Sequence, residues 1–243
     1  MYKLYEKYLS VLQETRKRRN LPNTVQFGNR KDYLNFSTND YLAFSNHPAL
    51  IKAACDTAAS YGVGATGSRV LSGNNRLFEI LEAKIAESKH TEAALVFNSG
   101  FQANISTLSA LLDQKVLNAK PIVFFDRLNH ASLYQGVFLS SAELIRYQHN
   151  DIDNLSSLLK KDIADPRPKF IVAETLYGMD GDILPLAAVA ELARQHNAFL
   201  YLDEAHATGI IGENGYGLST TIDLSGIPHL IMGTFSKALG LSG

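Results

Sequence analysis

Cysteine and tryptophan are almost absent from the sequence. Its 243 residues include one cysteine, Cys55, and no tryptophan. A single cysteine cannot form an internal disulfide bond, and it excludes metal sites that are built from several thiolates. No apolar run reaches the roughly 18–20 residues of a membrane-spanning helix, and the first residues lack an apolar signal core. We therefore expect a cytoplasmic protein with no membrane segment and no bound metal.

The sequence also lacks an excess of charge of either sign. It contains 23 lysine and arginine residues against 24 aspartate and glutamate residues, which gives a formal net charge of −1. A nucleic-acid-binding surface needs a basic excess, so we expect no nucleic-acid partner. Hydrophobic residues make up 46% of the chain, a proportion typical of proteins that bury a full core.

Short apolar runs alternate with helical patterns along the middle of the chain. The runs are 94–97, 122–125, 144–147, 170–173, 199–202 and 230–232. Their continuous hydrophobicity predicts strands that are buried on both faces. The alternation with helices predicts an α/β fold, with a mostly parallel sheet and helices on both of its faces. Ligands bind beyond the carboxyl ends of strands in such sheets, so the candidate functional residues are those that follow the runs.

Asp203 and His206 follow the run 199–202. An aspartate at a strand end can pair with a protonated heterocycle nitrogen or bind a metal, and the simpler alternative is that it caps the following helix. The sequence Asp-Glu-Ala-His also occurs in nucleotide-hydrolysing helicases, but no Gly-rich phosphate loop ending in Gly-Lys-Ser/Thr precedes it here. The motif therefore indicates either a ligand site or a helix cap.

Lys237 and Thr234 follow the last apolar run. A lone lysine is usually a solvated surface residue. Lys237 instead lies among small residues just beyond a predicted buried strand, and a desolvated lysine has a lowered pKa and can form a Schiff base. The position therefore favours a reactive amine.

Two further strand ends carry residues suited to a cofactor. Ser99, Gly100 and Phe101 lie where a strand is predicted to meet a helix, and the free N–H groups of a helix N-terminus bind anions such as phosphate. His130 follows the run 122–125, where an imidazole can stack on a ligand ring or act as an acid or base. The alternatives are a Ser-Gly turn kept for its geometry and a histidine that satisfies local backbone groups.

One cofactor accounts for all four motifs. Pyridoxal 5′-phosphate (PLP) needs a lysine for its aldehyde and an acidic partner for its ring nitrogen. Its phosphate would lie at 99–101, its ring at His130, its nitrogen at Asp203 and its aldehyde at Lys237. The four motifs together therefore predict a PLP site.

The same motifs resemble those of a known family. The matching segments are 35–42, 64–69 (Gly-Ala-Thr-Gly-Ser-Arg), 126–132, 179–182 (Met-Asp-Gly-Asp), 203–209 and 234–240. Through them the chain resembles the α-oxoamine synthase family of fold-type I PLP enzymes from about residue 30 to residue 243. The resemblance implies a PLP-binding large domain at 46–243, preceded by an N-terminal arm at 1–45.

The resemblance also implies roles for individual residues. Lys237 would bind the cofactor and move the substrate Cα proton, while Asp203 would pair with the ring nitrogen. His130 would stack on the ring, and His206 would contact the ring hydroxyl or the substrate region. The phosphate would be held by four residues: Ser99, Gly100, Phe101 and Thr234.

The activity that the resemblance implies is that of an acyltransferase. The chain is most similar to the biotin-pathway member of the family, which condenses L-alanine with a pimeloyl thioester of coenzyme A or a carrier protein and releases CO2. Asn39 and Tyr41 would lie near the substrate entrance, and two copies would form a homodimer. The alternatives are another α-oxoamine synthase (of 5-aminolevulinate, 2-amino-3-ketobutyrate or 3-ketosphinganine), an aminotransferase, and an inactive chain.

Two departures from the family pattern bear on the site and the sheet. Gly178 stands before the Met-Asp-Gly-Asp motif where the family has serine, which removes a hydroxyl near the cofactor. Family members also continue with another strand and a C-terminal domain, so we expect the large domain to be incomplete at its C-terminus. The run 94–97 would then lack a neighbour on the side that faces 230–232, which leaves backbone groups without partners.

Overall fold

The computed structural model describes residues 2–19, 34, 36–161 and 163–243. It divides into two units, Met1–Thr38 and Asn39–Gly243. The first unit contains helix α1 (Tyr2–Arg18), whose last turn is basic, as suits the negative end of a helix dipole. The division into an arm at 1–45 and a domain at 46–243 remains a prediction. Among the helices of the described residues, none is both long and apolar enough to cross a bilayer.

The second unit is built on a parallel sheet of five strands. These are β1 (Ile122–Asp126), β2 (Glu143–Tyr147), β3 (Lys169–Glu174), β4 (Phe199–Asp203) and β5 (His229–Met232). Their order in the sheet is β2-β1-β3-β4-β5, and every neighbouring pair is parallel. All residues of β1 and β3 are buried, as the continuous apolar runs predict.

The described residues of this unit also form seven α-helices. They are α2 (Pro48–Tyr61), α3 (Arg76–Lys89), α4 (Gly100–Leu111), α5 (Gln114–Leu117), α6 (Ala131–Ser140), α7 (Ile152–Lys161) and α8 (Leu186–Gln195). Side chains of β1 alternate between two hydrophobic clusters, one containing residues of α7 and α8 and the other residues of α4 and α6. Helices therefore cover both faces of the sheet, and the predicted α/β fold class is confirmed.

The prediction of a strand at 94–97 is wrong. The structure assigns no strand there, and Leu95 is 64% exposed. In the described part of the chain β5 pairs with β4 alone, and a cavity of about 1320 Å³ separates the segment 93–97 from the free edge of β5. A strand needs a hydrogen-bonding neighbour as well as apolar side chains, and the sequence pattern reports only the side chains.

The parallel strands place polar residues at one edge of the sheet. Asp126, Glu174 and Asp203 are the last residues of β1, β3 and β4, and all three are buried. The loop after β5 leads to Lys237 at the same edge. The carboxyl ends of the strands are therefore where the candidate site is assembled.

Candidate active site

Asp203 is an almost completely buried carboxyl, with 2% of its surface exposed. Its Oδ1 accepts a hydrogen bond from the N–H of Ala205 (2.9 Å), and its Oδ2 accepts one from Asn104 Nδ2 (2.8 Å). Burial raises the pKa of Asp203 above its ordinary value, although these hydrogen bonds and the positive charges of Lys237 and His130 oppose the rise. Such a carboxyl is stabilised by a cationic ligand atom.

Asn104, which the sequence analysis assigns no role, orients Asp203. It lies on α4 and is buried, and its Nδ2 also donates to Ser132 Oγ at 2.9 Å. Its Oδ1 accepts from the hydroxyl of Tyr201 at 2.8 Å. Both the nitrogen and the oxygen of the Asn104 amide are therefore hydrogen-bonded. In the sequence, only its position as a polar residue among apolar residues of a predicted helix indicates this role.

His130 precedes α6 and caps its first turn. Its Nδ1 lies 3.2 Å from the N–H of Ser132 and 2.7 Å from Ser132 Oγ. The backbone N–H of His130 donates to Glu174 Oε1 at 2.6 Å. The helix-cap alternative therefore describes the contacts of Nδ1, while the ring also lines the site cavity described below.

Glu174 is a second buried carboxyl of the site that the sequence analysis missed. Burial, followed by the negative charge of Asp203, raises the pKa of Glu174 to about 8, against the opposing hydrogen bond from His130. Glu174 is therefore largely protonated at neutral pH. Its signal in the sequence, an acidic residue ending an apolar run, is the same one that identified Asp203.

Lys237 is partly buried in the loop after β5. Burial lowers the pKa of its amine, and electrostatic interactions with the carboxyls of Asp203 and Glu174 counter only part of this effect. Within the described residues, its Nζ makes no hydrogen bond or ion pair. A lysine with a lowered pKa and no partner is suited to attack a carbonyl carbon.

An anion cradle forms where α4 begins. Ser99 caps the helix by accepting from the N–H of Gln102 at 3.1 Å. The N–H groups of Gly100 and Phe101 lie in the first turn, where no preceding carbonyl can accept them. Gly100 packs against Thr234, since a Cβ on Gly100 would lie 3.4 Å from the Thr234 Cβ.

Hydroxyl groups complete this cradle. Thr234 Oγ1 lies 2.8 Å from Ser236 Oγ and donates to the carbonyl of Gly243 at 2.6 Å. Ser236 is a further candidate that the sequence analysis did not identify. The helix N–H groups are the donors that this cradle offers to a phosphate, and the two hydroxyls lie beside them.

A cavity of about 220 Å³ joins these groups. The predicted residues that line it are Ser99, Gly100, Phe101, His130, Asp203, Thr234 and Lys237. Asn104, Ser132 and Glu174 line it as well. The predicted residues Asn39, Tyr41 and His206 are not part of its lining.

Those three residues form a neighbouring polar group. His206 Nδ1 lies 2.8 Å from the hydroxyl of Tyr41, which donates to Asn39 Oδ1 at 3.2 Å. Burial, with the positive charges of Lys237 and His130, lowers the pKa of His206 to about 4, so its imidazole is neutral at pH 7. Burial raises the pKa of Tyr41 above its ordinary value.

Gly178 makes room for the ring of His206. A Cβ on Gly178 would collide with the imidazole atoms, so a serine at this position requires the ring to move. The departure from the family pattern is therefore matched by the placement of His206.

The groups of the cavity fit PLP. The cradle supplies N–H donors for a phosphate. Asp203 supplies a buried carboxyl, whose ionised form a cationic partner would stabilise. His130 supplies a ring at the cavity wall, and Lys237 supplies the amine. Among the described residues, no group of three or more His, Cys, Asp or Glu side chains is arranged to hold a metal ion.

A parallel α/β sheet with these groups at its strand ends defines a PLP-dependent transferase of fold type I. The chain belongs to the aminotransferase class I and II family, whose sequence model matches residues 31–243. The predicted fold is thus confirmed by its family.

The curated relatives agree with the α-oxoamine synthase resemblance. A protein of Paramagnetospirillum magneticum, provisionally named 8-amino-7-oxononanoate synthase, is 49% identical over 90% of this chain and 55% of its own length. The 8-amino-7-oxononanoate synthase of Trichlorobacter lovleyi is 46% identical over 86% of this chain and 52% of its own length. The chain spans about half the length of the curated relatives it matches.

Solved structures support the same family and cofactor. The serine palmitoyltransferase of Sphingomonas wittichii has a TM-score of 0.78 and 34% identity, over 85% of this chain and 50% of that one. The S. paucimobilis enzyme, with a bound PLP–myriocin adduct, has a TM-score of 0.85 and 28% identity, over 99% of this chain and 62% of that one. The predicted cofactor is therefore confirmed as the cofactor of the family, while the residue roles remain predictions.

Proposed function

We propose that this chain forms the cofactor-binding part of an α-oxoamine synthase that condenses L-alanine with a pimeloyl thioester. The products would be 8-amino-7-oxononanoate, CO2 and the free thiol of coenzyme A or a carrier protein. The observation that carries the proposal is the cavity that joins Lys237, Asp203 and the anion cradle, in a chain 42–49% identical to relatives with that name. A homodimer and a cytoplasmic location remain parts of the proposal.

The cavity residues would hold PLP by complementary charge. When bound, the cofactor delocalises negative charge from the substrate Cα into its ring. Asp203 would keep the ring nitrogen protonated, because a nearby carboxylate stabilises a cationic nitrogen. Two hydrogen-bond donors hold the Asp203 carboxyl in place. The cradle at Ser99–Phe101 and Thr234 would anchor the phosphate.

Lys237 would serve both as the attachment point and as the base. A lowered pKa increases the unprotonated fraction of its amine, and this is the form that would accept the substrate Cα proton. His130 would pack on the cofactor ring, with its imidazole oriented by Ser132 and its backbone held by Glu174. Because these groups are fixed before substrate arrives, little reorganisation accompanies the reaction.

The group of Asn39, Tyr41 and His206 would meet the substrate side. His206 is neutral at pH 7, so its ring can exchange hydrogen bonds without adding a positive charge beside Lys237. The contact with Tyr41 would hold the imidazole at the rim of the site.

A second candidate is the 3-ketosphinganine type of α-oxoamine synthase. It is favoured by those structural neighbours that are serine palmitoyltransferases, at 28–34% identity. The curated relatives favour 8-amino-7-oxononanoate synthase at higher identity. The two candidates share the cofactor site and differ in the amino acid and the acyl chain.

The first test is the visible spectrum of the purified protein with PLP, before and after borohydride. We expect a borohydride-sensitive band that disappears in Lys237→Ala and persists in Lys115→Ala, a control in an exposed part of α5. A band that persists in Lys237→Ala would overturn the proposed attachment site.

The second test measures CO2 release with L-alanine and pimeloyl-coenzyme A, and separately with L-serine and palmitoyl-coenzyme A. Release with the first pair supports the proposal, and release with the second alone supports the alternative. A chain that binds PLP at Lys237 and releases CO2 with neither pair would overturn the condensation for this chain.

A further inference from the structure

His149 lies between two carboxylates, one on each side of its ring. Its Nδ1 is 3.0 Å from Asp126 Oδ1, and its Nε2 is 2.9 Å from Asp182 Oδ2. Ionised carboxylates only accept hydrogen bonds, and a neutral imidazole has a single N–H. Both contacts are hydrogen bonds only when the ring carries both protons, as an imidazolium.

The buried side of this arrangement is rigid. Asp126 is fully buried at the end of β1, and it also accepts the N–H groups of Leu128 (2.9 Å) and Asn150 (3.0 Å). Three donors therefore converge on one carboxylate. Asp182 lies on the exposed side, so the histidine connects an anchored carboxylate to a surface turn.

The charged and titratable groups around His149 favour its protonated form. Partial burial alone would lower the pKa of His149, but the hydrogen bonds and charges of Asp126 and Asp182 raise it above its ordinary value. Tyr177 contacts the ring edge-on, with 4.5 Å between ring centroids. The cation Arg127 binds the side chain of the preceding residue, Gln148, at 2.7 Å.

Two further titratable groups lie behind this contact. Tyr147 and Glu174 both interact electrostatically with Asp126 or with Tyr177. Burial raises the pKa of Tyr147 and of Glu174, so both are largely uncharged near neutral pH. The charges that act on His149 are therefore mainly those of its two carboxylates.

The two carboxylates belong to segments that reach the cofactor site. Asp126 begins the segment that leads to His130. Asp182 belongs to the turn 177–183, in which the N–H of Tyr177 donates to the carbonyl of Asp182 and the N–H of Gly181 donates to the carbonyl of Tyr177, both at 2.9 Å. The same turn carries Gly178, which packs against His206.

We infer that His149 is a positioning residue whose imidazolium ties the turn 177–183 to the end of β1 and thereby fixes Gly178 and His206 beside the cofactor site. The inference rests on the proposed function for its consequence, whereas the clamp itself is independent of any cofactor. Because the folded state stabilises the protonated ring, the clamp is complete at low pH and is lost as the pH rises through the pKa of His149.

One substitution separates this inference from a simple packing role. In Asp182→Asn an amide N–H can donate to Nε2, so a neutral imidazole satisfies both sides and no longer needs its second proton. Asp180→Asn is the matched control, since it changes the same charge in the same turn at an exposed residue outside the His149 contacts of the described chain.

The first experiment follows the ring nitrogens of His149 by NMR in the cofactor-free chain as the pH is raised. We expect an elevated pKa in the wild type and in Asp180→Asn, and a fall of about 1 unit or more in Asp182→Asn. A wild-type ring that titrates at the ordinary value, or an equal fall in both variants, would overturn the imidazolium clamp.

The second experiment measures the dissociation constant of PLP across the same pH range in the three proteins. We expect affinity in the wild type and in Asp180→Asn to weaken through the pKa of His149, and we expect this component to be absent from Asp182→Asn. Identical profiles in all three would refute the positioning role even if NMR shows the clamp. If no protein binds PLP, the proposed function fails while the NMR result still decides the clamp.

Discussion

Replacing Asn104 by leucine removes the side-chain hydrogen bond that orients Asp203 without changing side-chain size greatly. The amide is 1% exposed, and it donates to Asp203 and Ser132 and accepts from Tyr201. Asn104→Leu therefore leaves a buried carboxylate short of one donor and a buried hydroxyl without an acceptor. The effect is local, because the helix position itself suits an apolar residue.

The magnitude follows from these two losses. A hydrogen bond to a charged group contributes about 1.5–3 kcal/mol, and a buried polar group left unsatisfied costs about 1–3 kcal/mol. We expect Asn104→Leu to lower the free energy of unfolding by roughly 3–5 kcal/mol, partly offset by burial of the leucine side chain. The pKa of Asp203 should rise further, since one of the donors that opposes the rise is gone.

Urea unfolding of the cofactor-free chain, followed by circular dichroism, measures this loss. Gln102→Leu is the control, because it makes the same amide-to-leucine change on an exposed part of α4, where roughly 0.5 kcal/mol or less is expected. A loss below about 1 kcal/mol in Asn104→Leu would show that the network carries no orienting energy.

The pH dependence gives an independent check with a defined sign. The pKa of Asp203 is raised by folding, so the stability contributed by this group is present at low pH and is lost as the pH rises through that pKa. Asn104 supports the ionised carboxylate. The destabilisation in Asn104→Leu should therefore shrink as the pH falls and Asp203 becomes protonated.

Three further substitutions test two other residues of the site region and one buried ion pair outside it. In the wild type, the free energy of unfolding should fall by roughly 2–4 kcal/mol as the pH rises from the ordinary pKa of a glutamate to about 8. Glu174→Gln should remove this fall, as measured by urea unfolding at several pH values. Gly178→Ser should displace the His206 ring and raise its pKa from about 4 toward the ordinary value, measured by NMR titration. Lys89→Met should cost about 3–5 kcal/mol, because Lys89 Nζ lies 2.6 Å from a carboxylate oxygen of the fully buried Glu204, measured by urea unfolding.

Each of these has a control elsewhere in the described chain. Glu92→Gln changes an exposed carboxyl, Gly64→Ser adds a side chain in open space, and Lys84→Met breaks an exposed ion pair. An unfolding free energy of Glu174→Gln that follows the wild-type pH profile would contradict the buried-carboxyl assignment. Equal effects of the two glycine variants, or of the two lysine variants, would contradict the packing and ion-pair arguments respectively.

It could be predicted from the sequence that Asp203 and Lys237 lie close together, because this depends on local patterns. Asp203 and Lys237 each follow an apolar run, and parallel strands end at a common edge, so runs far apart in sequence deliver their polar ends to one place. The cofactor cavity then follows from the chemistry of the residues. No pairing information is needed for this step beyond the direction of the strands.

The segment 94–97 and the residue Asn104 could not be predicted for the opposite reason. Whether 94–97 becomes a strand depends on a neighbouring chain, and its apolar pattern is the same with or without one. The amide of Asn104 is paired with Asp203, 99 residues away. A polar residue in a helical pattern is usually solvated, and only its three-dimensional neighbours show that this one is buried.

The division of charge between Asp203 and Glu174 is the part of the site that only the structure resolves. Both end apolar runs, and the sequence gives no reason to prefer one as the partner of a cationic ring nitrogen. Burial raises the pKa of both carboxyls, that of Glu174 to about 8. Asp203 accepts hydrogen bonds from Asn104 Nδ2 and the N–H of Ala205, whereas Glu174 accepts one from the backbone N–H of His130. Two adjacent buried carboxyls do not both ionise readily, and the two hydrogen bonds that Asp203 accepts favour its ionised form over that of Glu174. The network around Asn104 therefore favours Asp203 as the carboxylate partner of a cationic ring nitrogen.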